Sequence, residues 1–214
     1  MENKINILMF GPPGSGKGTQ CRILSQSHST IFVISTGDLL RGEAKLDSDT
    51  GRKVRSIIES GDLVDDDLVC EIFSKSIAKI RSGFLLDGFP RNLSQAEFLT
   101  KILKEYDTQI DIVIQLQLDL ETIKSRLSGR ILCKNCGQVS NLNFFNRKVD
   151  KVVCRFCKSD QLDYRYDDKT EVVVKRVNQY NEEIKKLETY YSDKIVQIDA
   201  DRSIEEVACN IKEK

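Results

Sequence analysis

The sequence has no excess of charge of either sign and no long apolar run. Its 214 residues include 33 Lys and Arg against 33 Asp and Glu, so there is no global electrostatic reason to expect a nucleic-acid or membrane partner. No stretch approaches 18 uninterrupted apolar residues, and residues 1–10 lack the features of a signal peptide. We expect a cytoplasmic protein that binds anions only locally.

Histidine is rare, and low-complexity tracts and internal repeats are missing. The only histidine, His28, lies in a polar stretch after the first predicted helix, and we interpret it as a surface residue. The length suits one α/β domain with inserted subdomains, so additional full-sized domains are not expected.

Short apolar runs recur between longer amphipathic segments. Such runs fit strands that are buried on both faces of a parallel sheet, with helices as the crossovers. We predict five strands of this kind, at Ile5–Phe10, Ile31–Ile34, Phe84–Leu86, Ile112–Leu118 and Ile195–Ile198. A further segment, Thr170–Tyr191, has apolar residues three and four apart and predicts one long amphipathic helix.

Two segments interrupt this alternation. Residues 35–64 are polar and predict small helices, whereas residues 129–168 have a cysteine framework and no helical period. We interpret both as mobile insertions in a doubly wound α/β core. That core would comprise residues 1–34, 65–128 and 169–214.

The strongest motif is Gly11-Pro-Pro-Gly-Ser-Gly-Lys-Gly-Thr19, between an apolar run and an amphipathic segment. It is a Walker A loop with one residue between Lys17 and Thr19. Glycines let the backbone curl so that successive N–H groups point at phosphate oxygens, and the next helix adds its positive dipole. The nine-residue match favours a phosphate site over a glycine-rich turn with a solvated lysine. GTPases, kinases and ATPases share this loop.

Charged residues also follow other predicted strands. Asp87 ends the run 84–86, the placement expected of a carboxylate that orients Mg²⁺ through its water shell. Arginines stand after two strands and at the base of the segment 129–168, where open α/β sheets bind ligands. Their number indicates a phosphate site rather than solvated surface: Arg41, Arg91, Arg130, Arg165 and Arg176.

Together these motifs resemble those of adenylate kinases of the long form. The resemblance runs from Ile5 to about Val207, and it rests on GPPGSGKGT, STGDLLR, DGFPR followed by Gln95, the step from Gly129 to Arg130, and the run 165–168 with Arg176. It implies the P-loop nucleoside monophosphate kinase fold and a monomer. The implied reaction is reversible, Mg²⁺-dependent phosphoryl transfer from ATP to AMP, giving two ADP.

The resemblance also implies roles for individual residues. The ATP side would comprise Gly14, Ser15, Gly16, Lys17, Gly18, Thr19, Arg126, Arg130, Val139, Ser140 and Arg202. The AMP side would comprise Thr36, Arg41, Asp62, Leu63, Val64, Gly88, Phe89, Pro90, Arg91, Gln95, Arg165 and Arg176. The catalytic groups would be Lys17, Asp87, Arg91, Arg130, Arg165 and Arg176. Such a set suits phosphoryl transfer, which needs positioning and electrostatic stabilisation rather than a general base.

Four of the seven cysteines form two C-x-x-C pairs, Cys133 with Cys136 and Cys154 with Cys157, with 17 residues between the pairs. This spacing is typical of a four-thiolate zinc site on two tight turns. A reducing compartment disfavours disulfides, although iron can take the same geometry as Zn²⁺. The resemblance places the site in the lid over ATP. The remaining cysteines, on predicted helices, are expected in the core: Cys21, Cys70 and Cys209.

This chain departs from the family pattern in two places. Residues 139–141 and 144–147 read Val-Ser-Asn and Phe-Phe-Asn-Arg, where relatives commonly have Tyr-His and a Pro-Pro pair. Near the adenine, Asp199-Ala200 replaces the usual Asp-Gly. We also predict that the Phe89–Pro90 bond is cis, because the chain must turn sharply beside the phosphates.

Two other functions fit parts of the sequence. A CMP or UMP kinase would share the loop, but the long lid and Thr36 favour a purine acceptor. A zinc-knuckle protein that uses ATP to act on nucleic acid would need more basic charge than this neutral chain offers. No nucleic acid or membrane is therefore expected among the partners. A GTP switch would need an Asn-Lys-x-Asp segment after a strand, and the sequence has none.

Overall fold

The computed structural model describes residues 4–28, 30–78, 80, 82–142 and 152–214. Within these residues the strands are β1 (Asn6–Phe10), β2 (Ile31–Ser35), β3 (Gly83–Asp87), β4 (Ile112–Gln117), β5 (Arg130–Cys133), β6 (Val139–Asn141), β7 (Leu162–Tyr164) and β8 (Ile195–Asp199). The helices are α1 (Lys17–Ser27), α2 (Thr36–Glu43), α3 (Asp49–Ser60), α4 (Asp66–Ile77), α5 (Leu93–Glu105), α6 (Leu120–Ser128), α7 (Thr170–Tyr190) and α8 (Ile204–Lys212).

The predicted five-stranded parallel sheet is confirmed. Its strands lie in the order β2-β3-β1-β4-β8, and every neighbouring pair is parallel. All five residues of β1 are buried, as a strand covered on both faces requires. The edge strand β2 is covered less evenly, and Phe32 is 55% exposed there.

Helices cover both faces of the sheet and form two apolar clusters. On one face, Leu8 and Leu86 pack with Phe73 of α4 and Leu99 of α5. On the other face, Met9 and Leu85 pack with residues of α1 and α8. The long helix predicted at residues 170–191 is present as α7.

The three scattered cysteines differ in burial. Cys21 lies in the core as predicted, and Cys70 is partly buried. The prediction was wrong for Cys209, which is exposed. Its neighbours Val207, Ala208 and Ile211 form the buried face of α8, so Cys209 falls on the other side of the helix.

Each predicted insertion has its own local structure. Residues 35–64 contain α2 and α3, which begin at Ser35 and Ser48; each serine hydroxyl accepts a backbone N–H of the first turn. Residues 129–168 contain an antiparallel sheet in the order β6-β5-β7, followed by a single 3-10 turn. The segment 129–168, whose sequence has no helical period, thus folds mainly as short strands within its described residues.

The parallel arrangement brings the carboxyl ends of three neighbouring strands to one edge of the sheet. The glycine-rich loop follows β1, Thr36 follows β2, and Gly88 follows β3. The Phe89–Pro90 peptide bond beside them is cis, as predicted. Within the part of the chain that the structure describes, no helix is both long and apolar enough to cross a membrane.

Replacing either of two helical glycines of the segment 35–64 by alanine should change the stability of the protein, in opposite directions. An alanine Cβ at Gly51 would lie 2.4 Å from the Leu46 carbonyl oxygen and 2.8 Å from that of Glu43, whereas a Cβ at Gly42 would meet nothing within 4 Å. Alanine should therefore stabilise the protein at Gly42 by about 0.5–1 kcal/mol, through helix propensity. At Gly51 it should destabilise by about 1–3 kcal/mol because backbone must shift.

Urea unfolding of Gly42→Ala and Gly51→Ala beside the wild type measures both effects. Equal stabilisation by the two alanines would contradict the close approach at Gly51.

Candidate active site

A cavity of about 980 Å³ lies at the carboxyl edge of the parallel sheet and is also lined by residues of the segments 35–64 and 129–168. Of all the residues predicted to form the site, only Phe89 does not line it. Phe89 is 1% exposed, and its ring stacks on Phe73 of α4 with the ring centroids 4.3 Å apart. Its side chain therefore packs in the core and anchors the turn there. The lining residues are Gly14, Ser15, Gly16, Lys17, Gly18, Thr19, Thr36, Arg41, Asp62, Leu63, Val64, Asp87, Gly88, Pro90, Arg91, Gln95, Arg126, Arg130, Val139, Ser140, Arg165, Arg176 and Arg202.

The glycine-rich loop curls at the start of α1. Gly14 and Gly16 have φ of +81° and +94°, in the left-handed region where side chains are disfavoured. α1 has no side-chain cap and no acidic residue in its first turn. Its positive dipole end is therefore left for an anion.

Lys17 folds back over this loop. Its Nζ donates to the carbonyl oxygens of Gly11 at 2.7 Å and Pro12 at 3.0 Å. Burial lowers the pKa of Lys17 to about 8, although Asp87 opposes the shift. Burial likewise raises the pKa of Asp87, with Lys17 acting in the other direction. A cation and a carboxylate are thus held out of water beside the loop.

Five arginines from separate elements meet in the cavity. Burial lowers the pKa of Arg91 to about 10, and nearby Arg176 adds to that shift. Burial also lowers the pKa of Arg165 to about 10, with Arg41 and Arg130 as further causes, and the Arg165 Nε is buried without a hydrogen-bond partner. Guanidinium groups that disfavour one another's charge in a shared cavity favour a polyanionic ligand between them.

Carboxylates hold several of these guanidinium groups in place. The Arg130 guanidinium donates to both carboxylate oxygens of Asp168, with Nε 2.6 Å from Oδ2. Arg176 Nη1 lies 2.9 Å from Asp167 Oδ2. Arg41 Nη2 lies 2.6 Å from Asp38 Oδ1. These pairs fix the direction of each arginine before any ligand arrives.

One end of the cavity is suited to a base. Thr36 is buried, and its Oγ1 has no hydrogen-bond partner. Gln95 and Val64 line the same end. The carboxylate of Asp62 is engaged elsewhere, since it pairs with Lys175 at 2.6 Å and accepts from the Ser60 hydroxyl at 2.7 Å. Only the backbone of Asp62 is then available to a ligand.

At the other end, side chains hold the loop that follows β8. Arg126 Nη2 donates to the Ala200 carbonyl at 2.8 Å. Gln20 Nε2 donates to the Ile204 carbonyl at 3.0 Å. Ala200, the residue that departs from the usual glycine, is buried. Of the other departure from the family pattern, residues 139–141 line the cavity, while residues 144–147 lie outside the described residues.

The structure adds cavity residues that sequence reasoning missed. The Arg22 guanidinium of α1 donates to the Gln138 side chain, which joins the core to the segment 129–168. Arg155 and Phe156, between two of the paired cysteines, line the same wall. Arg22 lies three residues after Thr19 on the same helix, and this spacing was the one available signal.

The four paired cysteines converge, as predicted. Their sulfur atoms all lie within 4.8 Å of one another, and the Sγ–Sγ distances are 3.5 Å for Cys133–Cys157 and 3.6 Å for Cys136–Cys154. These distances exclude disulfide bonds, which need about 2.05 Å. All four are free thiols, and the group could hold a metal ion.

The two cysteine turns have the same backbone pattern. Cys133 N donates to Gln138 O at 2.8 Å, and Cys154 N donates to Ser159 O at 2.7 Å. Gly137 and Lys158, at matching positions, both have positive φ. Two copies of one turn place four sulfur atoms around a common point.

Comparison with known proteins identifies the family of this chain. The family model of adenylate kinases matches residues 9–196. A Wolbachia adenylate kinase, from the strain of Drosophila simulans, is 40% identical over 97% of this chain and 96% of its own length. The adenylate kinase of Treponema denticola is 40% identical over 98% of this chain and 99% of its own length. That of Chloroherpeton thalassium is 38% identical over 98% and 97%. The chain belongs to the adenylate kinase family.

Proposed function

We propose that this chain transfers a phosphoryl group reversibly from ATP to AMP and so forms two ADP. The observation that carries the proposal is one cavity with a phosphate loop toward one end, a partnerless buried threonine hydroxyl at the other, and guanidinium groups between them. A coupled assay with ATP and each of AMP, CMP, UMP and GMP tests it. Turnover with AMP well above the other acceptors is expected.

The two alternatives are not favoured by the family to which the chain belongs. A CMP or UMP kinase would have to use the same cavity with a pyrimidine beside Thr36. A zinc-knuckle ATPase acting on nucleic acid would need a basic surface, and this chain has no net charge. Both alternatives predict an outcome of the acceptor assay that differs from ours.

On the ATP side, we assign the phosphates to the loop from Gly14 to Thr19. The open dipole end of α1 and the backbone N–H groups of the loop would bind the phosphate oxygens. Arg126 holds the carbonyl of Ala200 and would lie against the adenosine together with that loop. Further contacts would come from the remaining predicted residues: Arg130, Val139, Ser140 and Arg202.

On the AMP side, we assign the base to the end of the cavity at Thr36 and Gln95. The buried Oγ1 of Thr36 needs a partner, which a ring nitrogen or amino group supplies. Leu63 and Val64 would contact the base, and the backbone of Asp62 and the turn Gly88–Pro90 would complete the wall. Arg41, Arg91, Arg165 and Arg176 would hold the phosphate.

In the transfer itself, Lys17 follows the charge of the moving phosphoryl group. Its present contacts are only two carbonyl oxygens, so a phosphate can displace them. Arg91, Arg130, Arg165 and Arg176 stabilise the negative charge that spreads over the equatorial oxygens. Since both reactants are positioned, no general base is required.

The kinase family uses Mg²⁺ with ATP, and the residues here fit that ion. Asp87 ends β3 as a half-buried carboxylate that lines the cavity, and its Oδ2 lies 3.4 Å from where a Cβ of Gly18 would be. A carboxylate in this place can hold the water shell of Mg²⁺. When bound, the ion neutralises charge on the phosphates.

The cysteine cluster fits Zn²⁺. A tetrahedral shell with Zn–S bonds of about 2.3 Å places sulfur atoms about 3.8 Å apart, close to the 3.5 and 3.6 Å observed. Asn135 Nδ2 lies 3.5 Å from Cys157 Sγ and can stabilise a thiolate. Because four thiolates complete the shell, the metal would be structural and take no part in the transfer.

We further propose that residues 35–64 and 129–168 act as mobile segments over a core formed by the rest of the chain. The polar contact of Arg22 with Gln138 and the 4.0 Å approach of Arg165 to Asp38 cross between units. Closure would exclude water, which otherwise competes with AMP for the phosphoryl group. The cytoplasm and a monomeric state remain predictions.

Hydrogen exchange tests the closure. Adding an analogue with two adenosines joined by five phosphates should slow exchange in residues 35–64 and 129–142, with the strands of the parallel sheet unchanged. Slowing is expected because closed segments lose access to water and gain ligand contacts. Identical exchange in those segments with and without the analogue would refute the movement.

Lys17→Met should abolish most of the transfer and leave the fold intact. We expect kcat to fall by about 10²–10³-fold or more, because a charge aimed at the transition state is lost. The melting temperature should not fall, because the position is half-buried and methionine needs no solvation there. Lys185→Met, on the exposed side of α7, is the matched control. Near-normal turnover of the Lys17 variant would overturn the assignment.

Removing the metal should loosen the lid without ending the chemistry. Chelation, or Cys136→Ser, should lower the melting temperature and speed exchange in residues 130–142. The loss should be well below the roughly 10–16 kcal/mol that zinc supplies to isolated peptides, since the lid is anchored at both ends. Measurable activity at low temperature should remain. A metal-free enzyme with an ordered lid but no activity would contradict the structural role.

A further inference from the structure

The side-chain amide of Gln95 is committed to two partners inside the protein. Gln95 lies in the first turn of α5, is 3% exposed and lines the cavity. Its Oε1 accepts the backbone N–H of Arg91 at 2.8 Å. Its Nε2 donates to Oδ1 of Asp66 at 2.6 Å. Both ends of the amide are therefore held from the side of the protein.

The two partners are chemically different, and this difference fixes the amide. A backbone N–H can only donate, and a carboxylate can only accept. Rotating the amide by 180° would turn its NH₂ toward the N–H of Arg91 and its oxygen toward the carboxylate of Asp66. Both contacts would then be repulsive. The Arg91 N–H and the Asp66 carboxylate therefore set the orientation of the Gln95 amide.

Asp66 is itself held in position. Asn92 Nδ2 lies 3.1 Å from Oδ1 and 3.0 Å from Oδ2 of Asp66. The Asn92 Oδ1 accepts the backbone N–H of Gln95 at 2.9 Å and so caps α5. Asp66 stands at the start of α4, partly buried, directly after the segment 35–64. The Asp66 carboxylate thus connects the start of α4 with the start of α5, next to the end of the cavity that we assign to the nucleobase.

We propose that Asp66 is a positioning residue that makes the acceptor site select a base with an amino group over one with an oxo group. The proposal rests on the proposed function, in which Gln95 contacts the base. An amide has two N–H bonds and two oxygen lone pairs. After Asp66 and Arg91 have taken one each, one donor and one acceptor remain, in a fixed order.

That order fits one class of base edge. Adenine presents an amino donor beside a ring-nitrogen acceptor, whereas a 6-oxopurine presents an oxygen acceptor beside a ring N–H donor. A free glutamine could rotate to suit either edge. With the amide locked, the oxo edge would meet donor against donor and acceptor against acceptor, and buried polar groups would be left unpaired. A 4-aminopyrimidine has the same order as adenine, so this device separates amino from oxo bases and not purines from pyrimidines.

The test is Asp66→Asn, assayed with AMP and with inosine monophosphate, which differs from AMP at the amino group and the adjacent ring nitrogen. Asparagine keeps the shape but can donate as well as accept, so it no longer excludes the rotated Gln95 amide, and only the backbone N–H of Arg91 is left to hold the orientation. We expect KM for AMP to rise about five- to tenfold with kcat little changed. The ratio of kcat/KM for AMP over inosine monophosphate should fall about tenfold.

Asp67→Asn is the matched control, because Asp67 stands in the same turn of α4 but is exposed. It removes the same charge near the helix start and should leave the base ratio unchanged. In a Gln95→Leu background, Asp66→Asn should have no further effect on the ratio, because the amide it orients is gone. Asp66→Ala, which removes the carboxylate altogether, gives the same readout if the asparagine variant does not fold.

An unchanged AMP to inosine monophosphate ratio in a folded Asp66 variant would overturn the proposal. So would an equal change in the Asp67 variant, or a full effect of Asp66→Asn without Gln95. Failure of the proposed function is a separate result, visible in the wild type alone as a lack of turnover with AMP, and it would remove the proposal as well.

Discussion

Positive charge held out of water in one cavity is the constraint on which the other features of this structure depend. A buried guanidinium or ammonium group loses its hydration, and like charges nearby add to the penalty. The lowered pKa values of Lys17, Arg91 and Arg165 record that penalty. Carboxylates such as Asp167 and Asp168 offset part of it. A nucleotide polyphosphate supplies the remaining negative charge, so ligand binding and charge balance are the same event.

The parallel sheet determines where this charge can be collected. Because β1, β2 and β3 run in one direction, the segments after them emerge at one edge with little choice of position. Arg130 and Arg165 of the segment 129–168 and Arg176 of α7 line the cavity at the same edge. Elements distant in sequence therefore supply one cluster. Among the buried residues of the interior strands of the sheet, only Asn6 and Gln115 are polar.

The fold was largely predictable because its strands are buried on both faces. Such strands read as continuous apolar runs, and their predicted ends agree with the structure within one or two residues. Strands of the segment 129–168 were not predicted, because three or four residues are too few to show alternation. Phe89 shows a different limit: a motif assigns residues to a site, but it does not say which side chains face it.

The polar contacts within the site could not be predicted from the sequence, because the residues that make them are far apart along the chain. Arg22 and Gln138 are 116 residues apart, and Asp66 and Gln95 are 29 apart. No periodicity relates such positions, and each residue alone looks like solvated surface. The Walker A loop, by contrast, is a continuous stretch of sequence. Its glycines can be recognised because the curled backbone needs the positive φ that glycine adopts easily. Sequence reasoning therefore found the phosphate site more completely than the groups that orient it.

The closure proposed for the segment 129–168 requires it to be ordered enough to place Arg130 and Arg165 and free enough to move. A piece of this size cannot form a large apolar core, and the two cysteine turns provide a local substitute for one. The bidentate pair of Arg130 with Asp168 joins the two ends of the segment. Order within the lid and connection at its base thus come from different interactions. Because they are separate, the closure proposed above would move the segment as a unit while Arg130 and Arg165 keep their mutual positions.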